Sequence, residues 1–124
     1  MRSTRLAALA VLLIAVVTIA RAQGRNFPGG TFTAYDGQNN IALTFDTSGT
    51  MVAYVNNEAF SRGTWDSRAD TLMLSAMEAP EGYSCAAGGR YLWSLADNKL
   101  TMKTVADDCE VRVQYFTGLV WTKG

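Results

Sequence analysis

Two cysteines, a late arginine between valines and a scatter of carboxylates are the groups in this chain that could do chemistry. Histidine, the commonest general base, is absent, which excludes the standard catalytic triads and His-based metal sites. Cys85 and Cys109 form no CxxC motif and start no predicted helix, so they are expected as a structural disulfide, not a redox centre. Once oxidised, the pair leaves no thiolate nucleophile. Asp36, Asp46, Asp66, Asp70, Asp97, Asp107 and Asp108 fall mainly in turns, where aspartate bonds its local backbone. Asp107-Asp108 with Glu110 matches no calcium-loop spacing. Glycoside hydrolysis by two carboxylates depends on their separation in space, which sequence spacing does not give. The chain therefore reads as a non-enzyme without a cofactor or metal, and its apolar interior becomes the candidate site.

The elements that must position these groups are strands. Gln23 to Gly30 reads as a loose lead-in, and Thr31 to Tyr35 as a first strand ended by the turn cluster Asp36 to Asn40. Ile41, Leu43 and Phe45 alternate with Ala42, Thr44 and Asp46, the period of a half-buried strand. A three-residue loop, Thr47-Ser48-Gly49, with glycine in the left-handed position, sets Phe45 opposite Met51, Leu43 opposite Ala53 and Ile41 opposite Val55. Strands over Glu58 to Asp66 and Thr71 to Met77, joined by residues 67–70, pair Trp65 with Leu72 and Gly63 with Leu74. After a loop from Glu78 to Gly89, Arg90 to Ala96 and Lys99 to Val105 form a hairpin about Asp97-Asn98, with Trp93 opposite Met102. Val111 to Phe116 is predicted as a further strand, and Leu119-Val120-Trp121 ends the sheet.

About eight short antiparallel strands with tight turns and no room for crossovers predict an all-β, up-and-down barrel, which removes exposed edges. A two-sheet sandwich is the alternative. An immunoglobulin sandwich places several strands between its cysteines, whereas Cys85 and Cys109 enclose one hairpin. Extending the Trp93–Met102 register of that hairpin brings the two cysteines nearly opposite each other, within reach of a disulfide. Closing such a loop stabilises by about 3 kcal/mol in the chain-entropy model.

On the presumed inner face Leu43, Phe45, Met51, Trp65, Leu72, Leu74, Tyr91, Trp93 and Leu95 are large, while Ala53, Ala59, Ser61, Gly63 and Ala76 are small. An eight-stranded barrel is just wide enough to be filled by side chains or to hold one small ligand. Small residues facing aromatic ones predict a hollow for a small hydrophobic ligand, with Phe45, Met51, Trp65, Tyr91 and Trp93 as its contacts. Collapse of the same aromatics would instead fill the barrel, leaving a protein-interaction or inhibitor module that acts through loops such as Glu78 to Gly89. Arg112 shares its strand face with Gln114 and Phe116: pointing outward it is a surface charge, and pointing inward it requires a carboxylate partner or an anionic ligand group.

The first 22 residues carry a different message. Arg2 and Arg5, an apolar run from Leu6 to Ala20 and the triplet Ala20-Arg21-Ala22 form a signal peptide, with cleavage expected before Gln23. The run stops at Arg21, short of the about 20 apolar residues a membrane anchor needs. Residues 23–124 are then one exported domain, soluble and secreted or periplasmic, in a compartment where a disulfide can form. Losing Arg2, Arg5 and Arg21 leaves eight basic residues against 11 acidic, a net charge of about −3 that argues against nucleic-acid partners.

The runs Leu43 to Thr50, Arg62-Gly63-Thr64-Trp65, Asp70 to Leu74, Tyr91 to Leu95 and Leu100-Thr101-Met102, with Cys109, Arg112 and Trp121, resemble small secreted bacterial proteins with a lipocalin-like (calycin) barrel. The likeness covers about residues 41–122. In that family a Gly-x-Trp opens the barrel and a late arginine covers the tryptophan; here Gly30-Thr31-Phe32 matches the opening, with phenylalanine for tryptophan, and the resemblance implies Arg112 for the cover. It also implies a shallow pocket for a small, largely apolar molecule.

Overall fold

A computed structural model describes residues Phe27–Gly124; the signal peptide predicted over residues 1–22, and the first half of the lead-in, residues 23–26, lie outside the described residues. Eight strands close into an antiparallel barrel in sequence order: β1 Gly30–Tyr35, β2 Asn40–Phe45, β3 Thr50–Val55, β4 Glu58–Arg68, β5 Thr71–Leu74, β6 Gly89–Ala96, β7 Lys99–Ala106 and β8 Trp121–Lys123. A helix, α1 (Glu110–Gly118), links β7 to β8. Closure is completed by β8, which pairs with both β7 and β1. Among the described residues no helix is long and apolar enough to cross a membrane.

Local turn chemistry fixes the hairpins. Asp46 Oδ1 accepts from the backbone N–H groups of Ser48 and Thr50, and Gly49 takes the left-handed φ of 96°, so Phe45 meets Met51 and Leu43 meets Ala53 as predicted. Asn56-Asn57 and Asp97-Asn98 both adopt positive φ at two successive residues, the geometry that matches strand twist in two-residue hairpins. The second of these turns sets Trp93 opposite Met102 and Tyr91 opposite Thr104.

Four expectations are corrected. Strand β4 runs on to Arg68, leaving only Ala69-Asp70 as the turn, so Trp65 pairs with Leu74 and Ser67 with Leu72. The slip is two residues, which preserves the faces. A bulge at Phe60 shifts the β3–β4 register, so Ala59 pairs with outward-facing Tyr54 and leaves the inner face. Strand β5 stops at Leu74, and Ser75 to Met77 bow around Gly63, where a Cβ would lie 2.9 Å from the Ala76 carbonyl; Ala76 is consequently exposed. Finally, Val111 to Phe116 is helix, not strand. Arg112 and Phe116, four residues apart, occupy one buried face of that helix, so valines with high β-propensity are overridden by tertiary contacts.

The barrel has two unlike ends. At one end the segment before β1 folds inward, and Phe27, only 4% exposed, packs edge-on against Phe45, Trp65 and Trp93 at centroid distances of 4.9, 5.6 and 5.4 Å. Positive φ at Gly29 and Gly30 permits the turn that brings it there. Trp65 Nε1 donates to the Asp46 carbonyl at 2.9 Å. This end is a solid aromatic plug. Helix α1 crosses the opposite end. Phe27→Ala is expected to lower the unfolding free energy by about 3–5 kcal/mol, measured by chemical denaturation; an unchanged midpoint would remove Phe27 from the core.

Candidate functional site

Beneath α1 the barrel is hollow. A cavity of about 200 Å³ lies between the helix, strands β2 to β4 and the segment Met77 to Cys85, and it opens to the surface at its mouth. Its floor is made by the buried side chains of Ile41, Leu43, Met51, Met77, Phe116 and Trp121, with Ala53 and Ser61 on the wall. Inward residues of β2 and β3 supply the floor because the alternation read from the sequence holds there. The hollow exists where those inward positions become small. At the rim stand Asn39, Val55, Phe60, Tyr83 and Tyr115. The Phe60 and Tyr83 rings meet edge-on at 5.2 Å, and Tyr83 remains 47% exposed. The Tyr115 hydroxyl donates to Asp36 Oδ2 at 3.2 Å, tying α1 to the β1–β2 turn.

One ion pair holds this end together. Asp107, just past β7, and Arg112 on α1 have side chains only 1% and 2% exposed, with Nε to Oδ2 at 2.7 Å and Nη2 to Oδ1 at 3.1 Å. Arg112 Nη1 and Nη2 also donate to the carbonyls of Ser75 and Ala87, each at 2.9 Å. The Tyr91 hydroxyl donates to Asp107 Oδ2, and the Cys109 N–H donates to Asp107 Oδ1 at 2.9 Å. Gly89 lets the chain pass close: a Cβ there would fall 2.5 Å from Asp107 Oδ2. A buried pair is tolerated only when its remaining donors and lone pairs are satisfied, and this one meets that condition closely. Burial raises the Asp107 carboxyl, but hydrogen bonds from Arg112, Tyr91 and the Cys109 N–H outweigh it and hold the group below its ordinary value. Burial, reinforced by the Asp107 carboxylate, pushes the Tyr91 phenol well above its ordinary value.

The disulfide adds a covalent tie to the same place. Cys85 and Cys109 are joined with Cα atoms 5.5 Å apart. The hairpin ladder ends at Ala106, so the cysteines do not meet as its extension: Cys85 lies in a β-bridge with Met77, and Cys109 stands at the start of α1.

The predicted contacts separate between the two ends. Met51 and Arg112 line the cavity, as do Ala53 and Ser61 of the small set. Phe45, Trp65 and Trp93 belong to the plug, and Tyr91 sits behind the ion pair, against Phe116 at 5.2 Å. Arg112 points inward and has the carboxylate partner that burial requires. It does not cover Phe32; the cation over that ring is Lys123, with Nζ 5.2 Å from the centroid. Phe60, Tyr83, Phe116 and Trp121 were not among the predicted contacts. Comparison with known proteins returns no matching family model, curated protein or solved structure.

Because Asp107 is held below its ordinary value, its contribution to stability is complete above about pH 4 and is lost as the pH falls through its folded value. Tyr91, raised, contributes fully up to about pH 10 and loses that contribution above it. Asp107→Asn should therefore give a shallower loss of unfolding free energy below pH 4 than the wild type; an identical acid limb would show the pair to be unlinked to stability. At neutral pH, Arg112→Met should cost about 3–5 kcal/mol by leaving the carboxylate buried and unpaired, read from urea unfolding.

Proposed function

We propose that the protein is a non-catalytic binding barrel, exported by its N-terminal leader, which takes up a small and largely apolar molecule at the helix end. The observation that carries this reading is the open, mainly apolar cavity of about 200 Å³ beneath α1. A void of about 150 Å³ lined by aliphatic and aromatic side chains is enough to bind benzene, so this one suits a ligand slightly larger than a single ring. Its size is below the usual range for drug-sized ligands, about 300–1,000 Å³, which favours a compact molecule or the tip of a longer one.

Two further observations support a binder over a catalyst. Among the described residues the lining holds no carboxylate, and its cysteine is oxidised. Asp107, the acid bonded to Arg112 of the lining, is already engaged by Arg112, Tyr91 and a backbone N–H. The loop-mediated alternative starts from a filled barrel, a description that suits the Phe27 end alone. Export is supported by the disulfide, which persists in oxidising compartments.

Native mass spectrometry of protein purified from its host should show a retained small adduct. Ala53→Phe, which fills the wall, should abolish both that adduct and the thermal shift given by apolar probes while leaving the circular dichroism of the barrel intact. Absence of any adduct, together with no thermal shift from any apolar probe, would end this reading.

A further inference from the structure

Charge is unevenly divided between the two ends of the barrel. Four connections meet at the helix end, over residues 36–39, 56–57, 75–88 and 107–120. They carry six carboxylates, Asp36, Glu78, Glu81, Asp107, Asp108 and Glu110, and one cation, Arg112. Arg112 and Asp107 neutralise each other, so the excess that remains is wholly negative. Arg62 and Arg90 lie within β4 and β6 and are exposed on the outer wall. At the plug end, by contrast, Arg68, Lys99 and Lys123 occupy strand termini.

Three of the acidic connections also build the cavity mouth, through Asn39, Tyr83 and Tyr115. Asp36 is tied directly to that rim: its Oδ2 accepts from the Tyr115 hydroxyl at 3.2 Å, and its Oδ1 from the Asn39 and Gln38 N–H groups. Those bonds, the Asn39 N–H foremost, hold its carboxyl below the ordinary value, so it is ionised at neutral pH. The cavity itself is a different medium. Its lining holds no carboxylate, and its one charge, Arg112, is already matched. An ammonium drawn inside would be buried without a counter-ion, whereas at the mouth it keeps water and meets carboxylates. Aromatic rings attract the same group, at exposed sites as well as buried ones. Phe60 and Tyr83 stand at the rim, and Tyr83 is half exposed.

We infer that the ligand is a cationic amphiphile, whose compact apolar body fills the cavity while a protonated amine or quaternary ammonium stays at the mouth beside Asp36 and the rim aromatics. This rests on the binding role proposed above and adds the sign of the head group. A fatty-acid-like head is repelled by the same carboxylates.

Three probes differ only in that head: phenethylammonium, propylbenzene and hydrocinnamate, compared by calorimetry at neutral pH and low ionic strength. Phenethylammonium should bind about tenfold more tightly than hydrocinnamate. Salt at about 1 M, where the screening length is about 3 Å, should bring the two within about threefold, and propylbenzene should not weaken. Asp36→Asn keeps an oxygen for the N–H bonds of the turn. It should weaken phenethylammonium about threefold, the scale of one exposed ion pair, and leave propylbenzene within about twofold. The charge and salt comparisons use the wild type alone, so they stand even where that variant folds poorly. Hydrocinnamate binding as tightly as phenethylammonium, or a gap between them that salt does not narrow, would overturn the cationic head group while leaving a binding cavity in place. Equal losses of phenethylammonium and propylbenzene in Asp36→Asn would overturn the role of Asp36. Failure of all three probes to bind would remove the binding role itself, and this inference with it.

Discussion

The buried pair of Asp107 and Arg112 is the contact on which the helix end depends. It joins four stretches of chain at one point: the end of β7, helix α1, the Tyr91 side chain of β6 and the backbone of the β5–β6 connection at Ser75 and Ala87. Nearly every group in it has a partner, so the desolvation of two charges is offset by directed bonds. Directional bonds also specify geometry in a way that apolar packing does not. Here they set α1 across the barrel mouth instead of letting it sink into the interior.

That placement divides the interior into two regimes built on one repeating pattern. The same inward positions that carry Phe45, Trp65 and Trp93 near the Phe27 plug carry Ala53 and Ser61 toward the helix end. Large aromatics with an inserted phenylalanine occupy the first half, Phe27 and Phe45 buried and Trp65 and Trp93 partly buried against them. In the second half small residues face a helix held off by the ion pair and the disulfide, and space remains.

How much of this was legible follows from the range of the forces. Hairpins such as Ile41 to Val55 and Tyr91 to Thr104 are set by alternation and by turn residues only a few positions apart, so sequence reading recovers their register. The β4–β5 pairing was displaced because Ser67 and Arg68 look like turn residues yet extend a strand. Helix α1 was misread because Val111-Arg112-Val113 alternates like a strand; what makes it helical is its anchorage to Asp107 and, through Cys109, to Cys85. Part of the site was visible, in Met51, Arg112 and the small residues Ala53 and Ser61. Phe60 and Tyr83 were hidden because a bulge and an irregular loop place them, and neither has a periodicity to read. Phe27 was hidden for the same reason, in a stretch whose proline and glycines suggest slack.

The shortest strand, β8, has a consequence for how the wall yields. It holds the cylinder shut through Phe32–Lys123 and Thr33–Thr122 on one side and Lys99–Thr122 and Leu100–Trp121 on the other, with one further backbone bond at each margin, from the Gly124 N–H to the Thr31 carbonyl and from the Lys123 N–H to the Asn98 carbonyl. Cooperative units with few backbone bonds are the first to part in native-state fluctuations. This zipper is therefore the expected place for the cylinder to open, and Trp121 is one of its teeth as well as part of the floor beneath α1. A hollow whose floor includes that residue keeps its shape only while the seam is shut, so loosening β8 would cost the cavity one of its walls.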